Sequence, residues 1–154
     1  MSNVAAAYRI IRRYAYAARW DKRAAAAGDG DAMTDWGYCL HYGMGVKRDS
    51  TEAQRVYRCA IRSTWITEWS REESMYHLAV LLLSKRPGTS RQLAIRLLRR
   101  ANTDGDYPAA ATVLGQVEAG ELAPYCGCRR NLRPGLARAG CPLHGRGPLQ
   151  RGKA

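Results

Sequence analysis

An internal repeat constrains this chain more than any other feature. The segment Ala17-x-x-Trp20-Asp21-x-x-Ala24-Ala25-x-x-Gly28-Asp29 is followed by Ala53-x-x-Val56-Tyr57-x-x-Ala60-Ile61. A third copy reads Ala94-x-x-Leu97-Leu98-x-x-Ala101-Asn102-x-x-Gly105-Asp106. The copies begin at residues 17, 53 and 94, so the steps are 36 and 41 residues. Within each, bulky and small residues recur at i, i+3, i+4, i+7 and i+8, the period of one helix face. Gly28 and Gly105 stand where a glycine ends a helix. A period of this length implies stacked helix pairs, since one pair cannot bury its apolar face alone.

A second kind of segment interleaves with the first. Its clearest copy is Ala32-x-x-x-Trp36-Gly37-x-x-Leu40-x-x-Gly43-x-Gly45-Val46-x-x-Asp49. Ser74-x-x-x-Leu78-Ala79-x-x-Leu82 is a looser copy, and Ala110-x-x-x-Leu114-Gly115 opens another. The small residues Gly37, Ala79 and Gly115 align, with Ala24, Ala60 and Ala101 on the partner segments. Glycine inside a helix costs ~1 kcal/mol relative to alanine, so small residues recurring there point to close helix contact.

This alternation resembles the Sel1-like repeat family, a relative of the tetratricopeptide repeats. The family pattern runs A-x-x-x-L-G-x-x-Y-x-x-G-x-G-V-x-x-D, then A-x-x-W-Y-x-x-A-A-x-x-G. Residues 32–61 match it well, including the Gly43-Met44-Gly45-Val46 turn and Asp49. The copies at about 74–105 and 107–120 lack that turn, and the first copy contributes only its second helix. The resemblance implies an all-α chain, an α/α solenoid of about three helix pairs over residues 1–120. It also implies a non-enzymatic adaptor whose solenoid face binds other proteins.

The composition changes after Glu121. Residues 121–154 are rich in Gly, Pro and Arg, and hold Cys126-Gly127-Cys128 and then Cys141-Pro142-Leu143-His144. Three thiolates and one imidazole suit tetrahedral Zn²⁺ in a closed structural site. We therefore expect Cys126, Cys128, Cys141 and His144 to hold zinc, giving residues 121–146 a fold without a core of their own. The competing reading takes the three cysteines as incidental thiols or disulfide partners. Residues 147–154 read as a basic tail. Their G-x-x-x-x-G-K pattern has no helix to follow it, so chance explains it better than phosphate binding.

The net charge is +12. Residues 1–30 carry six Lys/Arg against two Asp, and residues 121–154 carry seven against Glu121. Such a balance attracts acidic partners without choosing among them. A nucleic-acid-associated protein, or a peripheral subunit of a ribonucleoprotein or organellar complex, is therefore the alternative to the adaptor reading. Exposed arginine also keeps an Ala-rich helical protein soluble.

Candidate partner-binding residues are Trp65 and Trp69 in an irregular insert at 64–71, Tyr38 and Tyr42 on a helix, and Arg129, Arg130 and Arg133 in the zinc segment. Aromatic and Arg side chains dominate interface energetics. Trp36 suits core packing equally well. His41 and His77 lack a neighbouring acid or nucleophile in a catalytic spacing and read as packed or surface histidines. No catalytic residue is assigned. Some secreted members of the resembled family clip their helices with disulfides. No secretory signal is read here, so Cys39 and Cys59 are expected to be buried free thiols in an intracellular protein, cytoplasmic or organellar. No apolar run approaches the ~18 residues of a membrane span. Residues 78–83 have the length of a core helix.

Overall fold

A computed structural model describes residues 2–85 and 87–120. Those residues are all-helical. The elements are α1 (Ser2–Ile10), α2 (Tyr14–Ala26), α3 (Gly30–Tyr42), α4 (Ser50–Arg62), α5 (Glu68–Lys85), α6 (Pro87–Ala101) and α7 (Pro108–Glu118). Each helix packs on its neighbours in sequence, and α3 also packs on α5. The two interleaved sequence patterns map onto alternate helices. The first fills α2, α4 and α6, and the second fills α3, α5 and α7.

Helix ends follow from local chemistry. Asp29 caps α3, its carboxylate accepting from the Ala32 N–H at 3.0 Å. Asp49 caps α4 by accepting from the Thr51 and Glu52 N–H groups, both at 3.0 Å. A capping side chain satisfies donors that the first helical turn leaves open. Between α3 and α4, Gly45 takes φ +73°, where an L side chain is strained. A Cβ there would lie 2.3 Å from the Tyr14 carbonyl carbon. The turn following α3 is thus seated directly on the backbone that opens α2.

The core lies in two adjoining clusters that share α5. Leu40, Val56, Tyr57, Leu78, Leu81 and Leu82 form one, from α3, α4 and α5. Met75, Tyr76, Val80, Leu83, Leu98, Val113 and Val117 form most of the other, from α5, α6 and α7. Every residue from 78 to 83 is buried, so α5 is apolar all round at its centre. Burying one such Leu or Val contributes about 1.5–3 kcal/mol. The small residues act as expected in two places. Gly37 lies where a Cβ would come 2.6 Å from the Tyr57 ring, and Ala79 is wholly buried. Gly115 departs from that expectation, since a Cβ there would meet nothing within 4 Å among the described residues.

The first repeat differs from its sequence reading. It has a helix before α2, because α1 packs on α2 as an added partner. The α1 stop is also unusual. Arg12 N–H bonds to Arg9 O at 3.0 Å and Arg13 N–H to Tyr8 O at 2.8 Å, around Arg12 at φ +57°. This is a Schellman-type end with arginine where glycine is usual, at a cost of roughly 1 kcal/mol.

The α1–α2 junction is held by charge. Asp21 occupies the register position that Tyr57 and Leu98 fill in the other copies, and it is 1% exposed. Arg9 of α1 reaches its Oδ2 at 2.7 Å and also reaches Asp35 Oδ2 at 2.8 Å. One guanidinium therefore ties α1 to α2 and α3. Burial pushes the Asp21 carboxyl up to about 6; Arg9 opposes this and Asp35 adds to it. Cys39 donates a long bond to Asp21 Oδ2 at 3.9 Å. Among the described residues no helix is long and apolar enough to cross a membrane.

Candidate functional site

The link between α4 and α5 carries the most distinctive surface. Its bonds are local and specific. The Gly30 N–H donates to Trp65 O at 2.7 Å. Thr67 donates through both N–H and Oγ1 to Asp31 Oδ1, at 2.9 and 2.8 Å. Ser63 Oγ accepts from the Trp65 N–H at 3.2 Å, and Arg71 Nη2 donates to Ser63 O at the same distance. The link is thereby fastened to the first turn of α3 through Trp65 and Thr67, and to α5 through Ser63. Burial pushes the Asp31 carboxyl up, but the bonds from Thr67 and Ser70 outweigh it and leave it below the usual range. Asp31 is therefore a carboxylate at neutral pH.

The Trp65 indole receives no such cover. It is 81% exposed on a backbone that is fixed. It borders an open cleft of about 630 Å³, lined also by Gly28, Asp29, Asp31, Ile66 and Thr67. Gly30 makes the seat possible: a Cβ there would lie 2.5 Å from Trp65 O and 2.6 Å from Ile66 Cβ. Substituting Gly30→Ala should dislodge the link at a cost of about 1–3 kcal/mol. Amide exchange at Gly30 and Thr67 should then rise in hydrogen-exchange mass spectrometry, with helices α5 to α7 protected as before.

The irregular stretch is shorter than residues 64–71. Thr67 caps α5, its Oγ1 accepting from the Ser70 N–H at 3.3 Å, and Glu68 supplies first-turn acid. Trp69 therefore stands on the helix. It is 60% exposed, and its ring meets Tyr107 edge-on at 5.5 Å. From there ring contacts run on without a break. Tyr107 meets Tyr76 at 5.5 Å, Tyr76 meets His77 at 5.1 Å, and His77 meets Tyr38 at 5.3 Å and Tyr42 at 5.6 Å. Three expected partner-binding residues, Trp69, Tyr38 and Tyr42, thus belong to one aromatic ladder, and Trp65 stands apart from it. Edge-to-face pairs add ~0.5–1.5 kcal/mol beyond burial.

Tyr76, Tyr107 and the two histidines were not among the expected binding residues. His41 and His77 are both wholly buried, which makes them packed rather than surface groups. His77 Nδ1 lies 3.2 Å from the Tyr42 hydroxyl, tying α5 to α3, and its Nε2 lies 3.5 Å from Glu73 Oε1 one turn back on α5. Burial, with Glu73 adding, pushes the Tyr107 phenol well above its ordinary range. Cys39 and Cys59 are free; Cys39 is buried, whereas Cys59 is only half-buried. Burial, with Asp21 adding, pushes the Cys39 thiol up to about 12, so it holds no thiolate to act as a nucleophile.

Trp36 is half-buried, with the Lys22 ammonium 5.7 Å from its ring centre. Cys126, Cys128, Cys141, His144, Arg129, Arg130 and Arg133 lie outside the described residues. Compared with protein-family models, curated proteins and solved structures, the chain matches none.

Proposed function

We propose that this protein is a non-enzymatic interaction scaffold whose Trp65 cleft and Trp69 edge bind a segment of another protein. The observation that carries this reading is the Trp65 indole, 81% exposed on a backbone pinned to α3 by Gly30 and Asp31. An aromatic anchor on a prearranged backbone loses little entropy on binding, which is the economy that strong interface residues exploit. Asp31 and Asp29 at the cleft favour a partner segment with a basic or hydrogen-bond-donating group beside its apolar anchor.

In this reading the helices form an α/α solenoid of Sel1-like pairs. Support comes from the alternation of two helix types and from the turn at Gly45 resting on the preceding α1–α2 junction. The segment at 121–146 caps it with a structural Zn²⁺ held by Cys126, Cys128, Cys141 and His144, with Arg129, Arg130 and Arg133 offsetting the thiolate charge. Metal analysis of the purified chain should find zinc, and Cys126→Ser should remove it and lower stability. A metal-free chain indifferent to that substitution contradicts the cap.

Copurification with quantitative mass spectrometry tests the scaffold reading. A protein partner should be retained at high salt after nuclease treatment and lost from the Trp65→Ala/Trp69→Ala variant. The +12 charge favours a nucleic-acid role as the second reading. Retention that vanishes steeply with salt, and with nuclease, would decide for that one.

A further inference from the structure

A second surface lies on α1, away from the cleft. Among the described residues, Val4, Ala7, Tyr8 and Ile11 line a shallow hollow of about 460 Å³. Their spacing is i, i+3, i+4 and i+7. Ile11 continues the helical ladder, its N–H bonding to Ala7 O at 3.3 Å. Four residues so spaced form the hole that receives one side chain of a facing helix. The buried side of α1 is different, since Ala5 and Arg9 point to α2. The hollow is a separate apolar face with Ile11 62% exposed.

Its rim is cationic. Tyr8 stacks on Tyr16 at 5.5 Å, and the Arg19 guanidinium lies 5.8 Å from the Tyr16 ring centre. Arg12 and Arg13 are exposed where α1 ends. The one acid between residues 4 and 28, Asp21, is buried against Arg9, so no exposed acid offsets these arginines there. The backbone at Arg12 adds an independent sign. Its φ of +57° would suit glycine without strain, yet the position holds a cation.

We propose that this hollow docks an amphipathic helix of another protein, a bulky apolar side chain sitting over Ala7 and acidic residues on adjoining turns facing Arg12, Arg13 and Arg19. Charge complementarity selects this occupant over a second copy, which would bring the same cationic rim. An anionic membrane surface would meet the same cationic rim but brings no side chain to seat over Ala7, so anionic vesicles serve as the counter-test.

The test uses the full chain as bait for a displayed library of helical peptides, with counter-selection on Ala7→Glu. Ala7 is exposed, so that variant keeps the fold and fills the hollow with charge. Surviving helices should carry Leu, Ile or Phe flanked by Asp or Glu, and should bind Ala7→Glu at least about 30-fold more weakly. Arg12→Gly should weaken them while raising the melting temperature, a pairing that a purely structural Arg12 would not produce. Trp65→Ala should leave their binding unchanged. The proposal is overturned if no helix survives, or if the survivors lack acidic residues. It is also overturned if the hollow instead mediates self-association in sedimentation, or binding to phosphatidylserine vesicles, that Ala7→Glu abolishes.

Discussion

Replacing Arg9 with alanine should cost about 3 kcal/mol, roughly 10 °C in melting temperature, although the residue is one of many arginines on a basic surface. The size follows from what it leaves behind. Asp21 is buried, its Oδ2 is bonded to Arg9 at 2.7 Å, and its Oδ1 has no partner among the described residues. Removing the cation strands a carboxylate in the core, which is far costlier than losing an exposed ion pair. Replacing both partners should behave differently. Leu98 fills the equivalent position in α6, so Arg9→Met with Asp21→Leu should be neutral or stabilising.

Acidity supplies a second readout. The folded Asp21 titrates at about 6, above the unfolded value near 4. The folded chain then binds that proton more tightly, so this group's contribution to stability falls as pH rises from about 4 to about 6. The stability of the native chain relative to Asp21→Asn should decline over that window and be flat above it. Arg9, Asp35 and Cys39 are the groups facing Asp21, and they set how steep the decline is. Denaturant melts across the pH range measure both effects; an Arg9→Ala chain as stable as the native one would refute the bridge.

The other large effect is expected at Gly45. Gly43 and Gly45 share one backbone conformation, φ +74° and +73°. Their neighbours differ. A Cβ on Gly43 would have its nearest contacts at 3.5 Å, whereas one on Gly45 would fall 2.3 to 2.5 Å from backbone atoms of Tyr14 and Ala15. Gly43→Ala should therefore cost about 1 kcal/mol, the strain of left-handed backbone alone. Gly45→Ala adds overlap with main chain that cannot rotate away, for a total of about 3 kcal/mol. Equal losses at the two positions in thermal melts would mean that the turn does not rest on the α1–α2 junction.

These two sites show where the sequence was legible and where it was not. Periodicity marked the helices because an amphipathic helix writes its buried face every three or four residues, and α2 to α7 lie where those patterns run. The Gly43–x–Gly45 turn was legible for the same local reason. Asp21 was not, since a carboxylate at a core register reads as a break until Arg9 arrives from a helix with no repeat pattern. The start of α5 was missed although Thr67, Glu68 and Ser70 spell a helix N-terminus; the polar residues read as irregular chain. The exposed tryptophans were legible as residue types. Their setting was not, because the bonds that fix Trp65 come from Gly30 and Asp31, distant in sequence. The aromatic ladder from Trp69 to Tyr42 was equally hidden, because its rungs come from two helices, α3 and α5, and from Tyr107 on the approach to α7.

The scaffold reading turns on one side chain. Calorimetric titration of the copurified partner into the native chain and into Trp65→Ala tests it most directly. Trp65→Ala should lower the affinity at least about 30-fold while leaving the melting temperature unchanged, as expected of an exposed anchor. Equal affinity for the two chains would contradict the proposal that this indole is where the protein takes hold of its partner.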